Sequence, residues 1–404
     1  MDVIFYMKLL DNGICSIDSI LASGFRDGKY GVSVIYHKDS TAVGVYTQNK
    51  VYAAPIDVTR KHLENGKISA IIVNSGNANC YTKDEGLKNA ERMAKLTGEV
   101  LGIPSDDVAV ASTGVIGRQM PMDVIEPVAV ESLNGLGNSR ENATDAAKAI
   151  MTTDTVPKEC AVESELVDGT KFRIAGICKG SGMIAPNMGT MLGFITTDLE
   201  VPQDELQQLL RDSVKRSFNM VVVDGDQSTN DTVILMSTNE VKGSVDDNFK
   251  EALDYVCISL AKQIAKDGEG AKHFIEVTCH DAKCEDDAIT IARSIISSSL
   301  VKTAVFGADP NWGRIITAMG YSGVDFDPEC VSISIESDDL KADIVVDGCV
   351  MTYDNPEILK KAEMIMQHKE IIITVSLNDG DCYATAYGCD LTYDYVEINA
   401  EYTT

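Results

Sequence analysis

No apolar run in this sequence approaches the roughly 18 residues that a membrane-spanning helix needs. Its opening "MDVIFYMKLL" has no basic region ahead of the apolar patch and no small-residue cleavage signal behind it. The expectation is a protein without a membrane span or secretory leader, retained in the cytosol. Cationic charge is scarce: 35 Lys and Arg stand against 62 Asp and Glu, a formal charge of −27. That balance repels phosphate backbones and removes the main electrostatic term of nucleic-acid binding. An anionic substrate must then be attracted by a few local Lys, Arg or backbone N–H groups. Histidine is sparse as well, and His37, His62, His273, His280 and His368 fall outside the glycine- and threonine-rich stretches, which argues against a Ser-His-Asp hydrolase.

Also missing are a repeat of fixed period, a low-complexity segment and a Pro/Ser-rich linker. The 11 cysteines, an odd number scattered from Cys15 to Cys389, fit reduced thiols better than a disulfide framework. Cys279, His280 and Cys284 have no second pair at zinc-finger spacing, so neither a metal nor another cofactor is expected. What remains is an ordinary globular composition, 44% hydrophobic and 24% charged over 404 residues, long enough for more than one packed unit.

The patterns at 68–76, 107–114, 232–239 and 330–336 read as strands. Helices are expected over 141–151, 202–216 and 286–300, and along the apolar faces Leu87, Ala90, Met93, Leu96, Val100 and Phe249, Leu253, Val256, Leu260, Ile264. Near the end, "KEIIITVSLNDGDCYATAYG" places Asp-Gly between two strand-like runs and predicts a hairpin. Such an order gives a layered α/β architecture with mixed or antiparallel sheets, not a parallel barrel.

The stretch "KGSGMIAPNMGTMLGFITTD", 179–198, suits neither helix nor strand. Gly180, Gly182 and Ala185 satisfy G-x-G-x-x-A, but Pro186, Gly189 and Gly193 interrupt the helix that a dinucleotide site requires. The other reading is chemical: a flexible Gly189 carbonyl lies open to attack by the hydroxyl of Thr190. An N-to-O acyl shift followed by ester hydrolysis would free the Thr190 amino group, joining nucleophile and base in one residue. An α-amino group titrates at about 7.7 to 8.0, so it can accept a proton near neutral pH.

Eight stretches, "GFRDGKYGV", "VNSGNAN", "ASTGVIGR", "AIMTTDTVPK", "KGSGMIAPNMGTMLGFITTD", "DGEGAK", "GADPNWGRI" and "EINAEYTT", together resemble the ornithine acetyltransferase (glutamate N-acetyltransferase) family of arginine biosynthesis. The resemblance runs end to end. It implies a layered α/β/β/α fold of the type shared with self-processing amidases, and a proenzyme cut between Gly189 and Thr190. The products would be an α chain, 1–189, and a β chain, 190–404, associating as an α2β2 heterotetramer. Gly189 stands where the family usually has Ala, a change that adds backbone freedom at the scissile bond.

The resemblance also implies that Thr190 takes acetyl from N-acetylornithine and passes it to glutamate, in ping-pong fashion. Thr113 and the N–H of Gly114 would form the oxyanion hole, and Thr153, Lys179, Thr190, Glu269, Asn399 and Thr404 would bind substrate. It does not choose between members that also take acetyl-CoA and members that do not. An amidase or aminopeptidase of the same fold, with water as acceptor, is the alternative. By residue type alone Lys179 reads as a surface cation, Glu269 as a solvated loop charge, and Asp154 and Lys158 as helix-end charges. Trp312 and Arg314 read as packing and an ion pair.

Overall fold

The computed structural model describes residues 7–185 and 191–401; Gly189, Thr190 and Thr404 lie outside them. Nine strands form the first sheet: β1 (Met7–Leu9), β2 (Leu21–Asp27), β3 (Tyr30–Tyr46), β4 (Lys67–Asn77), β5 (Val108–Val115), β6 (Lys158–Glu165), β7 (Lys171–Lys179), β8 (Leu192–Leu199) and β10 (Thr232–Val241). Their order is β1-β6-β7-β8-β10-β3-β4-β5, with β2 on β3. A second sheet of seven holds β9 (Val221–Val222), β11 (Phe274–Ala282), β12 (Ser332–Ser337), β13 (Leu340–Val346), β14 (Cys349–Val350), β15 (Glu370–Ser376) and β16 (Cys382–Cys389). Its order is β14-β13-β12-β15-β11-β16-β9. Both sheets are mixed: β4–β5 and β8–β10 run parallel in the first, β11–β15 and β9–β16 in the second. The expected mixed α/β class is what the chain adopts.

The predicted helix with Phe249 to Ile264 on one face spans Asp247–Lys266. Asp246 starts it by accepting from the Phe249 N–H at 3.1 Å, which satisfies one of the orphan donors of the first turn. Its apolar stripe packs on β6 and β7 of the first sheet and also reaches β16 of the second, so one core contains residues of both sheets. Helix Lys83–Leu101 covers β4 and β5, and helix Arg140–Ala149 covers β2 and β3.

Two expectations fail. β15 and β16 are not a hairpin, because β11 lies between them, parallel to β15 and antiparallel to β16. The connection crosses the end of β11: Leu377 N–H donates to the His280 carbonyl at 3.1 Å and Asp379 N–H to the Asp281 carbonyl at 2.8 Å. Gly380 crosses so closely that a Cβ would stand 2.2 Å from the Ala282 carbonyl oxygen. The helix expected over 286–300 is two, Glu285–Ser297 and Ser299–Phe306, bent by 56°. Ser298 breaks it by turning its hydroxyl to the Val301 N–H at 3.3 Å as the cap of the second helix. Among the described residues no single helix is long and apolar enough to cross a membrane.

Candidate active site

Two strand ends and three loops converge on one cleft. β5 delivers Thr113 and Gly114, and β7 ends on Lys179. The loop after helix Arg140–Ala149 brings Thr152 and Thr153, the segment before β10 brings Ser228, Thr229 and Asn230, and the turn after helix Asp247–Lys266 brings Glu269. Asn399 enters from the helix Tyr393–Glu401. Every described residue singled out from the sequence, namely Thr113, Gly114, Thr153, Lys179, Glu269 and Asn399, lines this cleft. None of the histidines does.

The backbone at the mouth of β5 admits only glycine. Gly114 has φ +130°, and a Cβ there would meet the Gly76 carbonyl carbon at 2.4 Å and the Asn77 nitrogen at 2.5 Å. The β4–β5 register slips at that point, so the regular ladder ends where Thr113 enters the cleft. A strand that loses its ladder in this way can turn N–H groups towards a ligand.

Lys179 is no surface cation. It is 2% exposed, and its ammonium donates to Thr152 Oγ1 at 2.8 Å and to Thr113 Oγ1 at 3.4 Å, with Asp154 Oδ2 at 3.8 Å. Burial lowers its pKa from the usual lysine value, against the opposing pull of Asp154. Because Lys179 supplies the hydrogen that Thr113 accepts, the Thr113 O–H remains able to donate elsewhere.

Asp154 and Lys158 are not helix-end charges either. The Lys158 ammonium lies 2.7 Å from Asp154 Oδ1 and 2.6 Å from Asp267 Oδ2, and Asp154 also accepts from the Gly180 N–H at 2.7 Å. Burial alone would raise the Asp154 carboxyl, but Lys179 and Lys158 outweigh it and hold it at about 2. For Lys158, burial opposes the charge while Asp154 and Asp267 prevail and raise its pKa. Asp267 fastens the network to the Glu269 turn: Thr155 N–H donates to its Oδ2 at 3.0 Å, and Ser181 Oγ to its carbonyl at 2.6 Å. Nothing in the local sequence pattern signals this, because its partners are separated by 109 residues.

Glu269 is half-buried at the cleft edge. Its backbone N–H donates to the Ser181 carbonyl at 3.0 Å, and Asn399 Nδ2 donates to its Oε2 at 2.9 Å. Gly182 leaves room for the carboxylate, since a Cβ there would stand 2.3 Å from Glu269 Cδ. Arg26, within "GFRDGKYGV", was not singled out. Its Nη1 reaches the carbonyls of Lys148 at 3.1 Å and Met151 at 2.9 Å, pinning the loop that carries Thr153. Arg314, expected in an ion pair, donates instead to the Leu300 carbonyl at 2.6 Å and Thr303 Oγ1 at 3.1 Å. Trp312 packs edge-on to Tyr353.

Among the described residues, no group of three or more His, Cys, Asp or Glu is placed to hold a metal ion. The cleft offers hydroxyls, a buried ammonium and a carboxylate, a set that can hold a small zwitterion and stabilise an oxyanion.

The sequence has relatives of known name. It is 53% identical over 398 residues to a glutamate N-acetyltransferase of Methanothermobacter thermautotrophicus, covering 98% of this chain and 99% of the relative. It is 48% identical to a glutamate N-acetyltransferase of Methanocaldococcus jannaschii, covering 98% of this chain and 100% of that one. Among solved structures, the arginine biosynthesis bifunctional protein argJ of Bacillus halodurans is 38% identical, with a TM-score of 0.46, over 51% of this chain and 97% of that one. The ArgJ family model matches residues 18–404. This chain therefore belongs to the ArgJ family, and it is an enzyme of the acyltransferase class.

Proposed function

We propose that this chain is a glutamate N-acetyltransferase that moves acetyl from N2-acetylornithine to L-glutamate through an acyl-Thr190 intermediate. The observation that carries the reading is the convergence of Thr113, Gly114, Thr153, Lys179, Glu269 and Asn399 on one cleft. Names printed for relatives that match nearly the whole chain support acetyl transfer to glutamate.

The chain first cuts itself. Thr190 Oγ attacks the Gly189 carbonyl carbon, the Gly189–Thr190 C–N bond breaks as its nitrogen takes a proton, and water hydrolyses the resulting ester. Gly189 then ends an α chain, 1–189, and Thr190 begins a β chain, 190–404, with a free amine. In the transfer reaction Thr190 Oγ attacks the acetyl carbon while the amine accepts its proton. Thr113 O–H and the Gly114 N–H donate to the developing oxyanion, each donor worth about 2.7 to 4 kcal/mol in comparable sites. The proton returns to the departing ornithine amine. The glutamate amine then attacks the acetyl carbon, the ester C–O bond to Thr190 Oγ breaks as the Thr190 amine relays the proton that glutamate loses to Oγ, and N-acetylglutamate leaves.

Glu269 faces the side-chain ammonium of N-acetylornithine, held for that task by Asn399. Lys179 supplies the local positive charge for a substrate carboxylate that the overall charge of −27 would repel, and Thr153 and Thr404 complete the substrate contacts. Two α–β pairs would form the assembly, in the cytosol.

The test is incubation with N-acetylornithine and labelled glutamate, alongside Thr190→Ala, with the cut followed by intact mass. Labelled N-acetylglutamate from cleaved wild type, and none from an uncleaved Thr190→Ala, is the expected result. Free acetate as the only product would instead identify water as the acceptor, and full activity in Thr190→Ala would end the proposal. The same assay with acetyl-CoA in place of N-acetylornithine decides whether it is a second donor.

A further inference from the structure

Two adjacent side chains before β10 reach towards two different parts of this site. Asn230 Nδ2 donates to the carbonyls of Ala78 and Ser112, each at 2.7 Å. It thereby ties the segment after β4 to β5 at the residue before Thr113, and it lines the cleft. Its Oδ1 is fixed by the Thr229 hydroxyl at 2.6 Å. The next residue, Asp231, is fully buried, and its Oδ1 accepts from the Met191 N–H at 3.0 Å. Met191 directly follows Thr190. The backbone reinforces the hold: Thr232 N–H donates to the Met191 carbonyl at 3.3 Å, and Thr47 N–H to the Asp231 carbonyl at 3.0 Å.

The second oxygen of Asp231 has no hydrogen-bond partner at bonding distance among the described residues, although the Ser228 and Thr47 hydroxyls and the Lys179 ammonium lie close enough to favour its anion. A buried anionic oxygen without a bonded partner is costly, whereas a neutral acid is less so. Burial accordingly pushes this carboxyl well above its usual range. The hold on the Met191 amide is a hydrogen bond to Oδ1, which does not require the carboxyl to be charged.

We propose that Asn230 and Asp231 form a two-sided clamp that sets the separation between the nucleophile Thr190, through Met191, and the oxyanion-hole residues Thr113 and Gly114, through Ser112. They are positioning residues for both self-cleavage and acetyl transfer. The inference rests on the reading of Thr190 as nucleophile. A displacement of about 1 Å at such a site costs on the order of 100-fold in rate while leaving binding groups in place, so the clamp acts on kcat more than on KM.

The experiment uses the full chain carrying Asp231→Ala, Asp231→Asn or Asn230→Ala, with Thr190→Ala in parallel. The fraction cut at 189/190, kcat, KM for N-acetylornithine and Tm are measured for each. Asp231→Ala is expected to slow self-cleavage by about tenfold or more and to lower the kcat of the cleaved enzyme by about 100-fold, with KM within about threefold. Asn230→Ala is expected to lower kcat similarly at near-constant KM. Asp231→Asn keeps the acceptor for Met191 and puts an N–H where the neutral acid has its O–H, so it should retain kcat within about fivefold. Full kcat in Asn230→Ala or Asp231→Ala, or a 100-fold loss in Asp231→Asn, overturns the clamp. The Asn230→Ala and Asp231→Asn arms decide the matter even if Asp231→Ala does not fold. Thr190→Ala separates the two ideas: transfer surviving there removes the nucleophile reading, whereas its loss beside an unimpaired Asp231→Ala removes the clamp alone.

Discussion

Lys158 and Asp154, four residues apart and 2.7 Å from charge to charge, have completely buried side chains. With Asp267 on the other side of the ammonium, this pair makes an ionic bolt between the loop carrying Thr153 and the turn carrying Glu269. The two cleft-lining segments are thus fixed relative to each other.

Replacing Lys158 by Met would leave two buried carboxylates without their shared cation. Breaking such a pair by removing one partner costs about 3 to 5 kcal/mol, far more than the intact pair contributes over an apolar substitute. Urea unfolding of Lys158→Met should show a loss of that size. The triple variant Asp154→Asn, Lys158→Met, Asp267→Asn should recover a substantial part of it, because no unpaired charge of the three remains. A single variant within 1 kcal/mol of wild type would mean the bolt carries no load.

This bolt marks the boundary of what the sequence could disclose. The strands at 68–76 and 107–114 were legible because β-branched alternation is local, and they appear as β4 and β5 within a residue or two. The burial of Lys158 depends on Asp267, and no local pattern announces a partner 109 residues away. The same blindness produced the false hairpin: the Asp-Gly signal was sound as a turn, but the strand beside β15 arrives from Phe274–Ala282. Of the site, Thr113, Gly114, Thr153, Lys179, Glu269 and Asn399 were named through family resemblance, and residue type alone would have left Lys179 and Glu269 on the surface. Asn230 and Asp231, in "QSTND", look like ordinary turn residues, and only the fold reveals which backbone groups they hold.

Asp198 gives a pH test of the fold. It lies in β8, and its Oδ1 accepts from the Arg173 N–H at 2.7 Å. Burial raises its carboxyl to about 6 despite that hydrogen bond, whereas an unfolded Asp titrates near 3.9. A folded pKa above the unfolded one means that ionisation opposes folding. The cost is complete above pH 6 and fades as pH falls towards 4. Asp198→Asn should therefore stabilise the protein at pH 8, by up to roughly 3 kcal/mol, and change little at pH 4. Denaturant unfolding at both values measures it, and an equal effect at the two would refute the assignment.

In the proposed reaction, Glu269 and Asn399 would separate the substrates from one another. N-acetylornithine carries a side-chain ammonium that glutamate lacks, so under the proposed mechanism the Glu269 carboxylate would have a cation to meet in only one half of the reaction. Glu269→Gln keeps an oxygen able to accept from Asn399 Nδ2, now 2.9 Å from Oε2, and fits the space left by Gly182, but it removes the charge. A hydrogen bond to a charged group contributes about 1.5 to 3 kcal/mol, so kcat/KM for N-acetylornithine should fall by about 10- to 150-fold. The second half-reaction, followed as transfer from pre-formed acetyl-Thr190 to glutamate, should change by less than about threefold, since no ammonium is lost there. Equal losses in both halves would instead mean that Glu269 shapes the site for whichever substrate occupies it, and that the ammonium is recognised elsewhere.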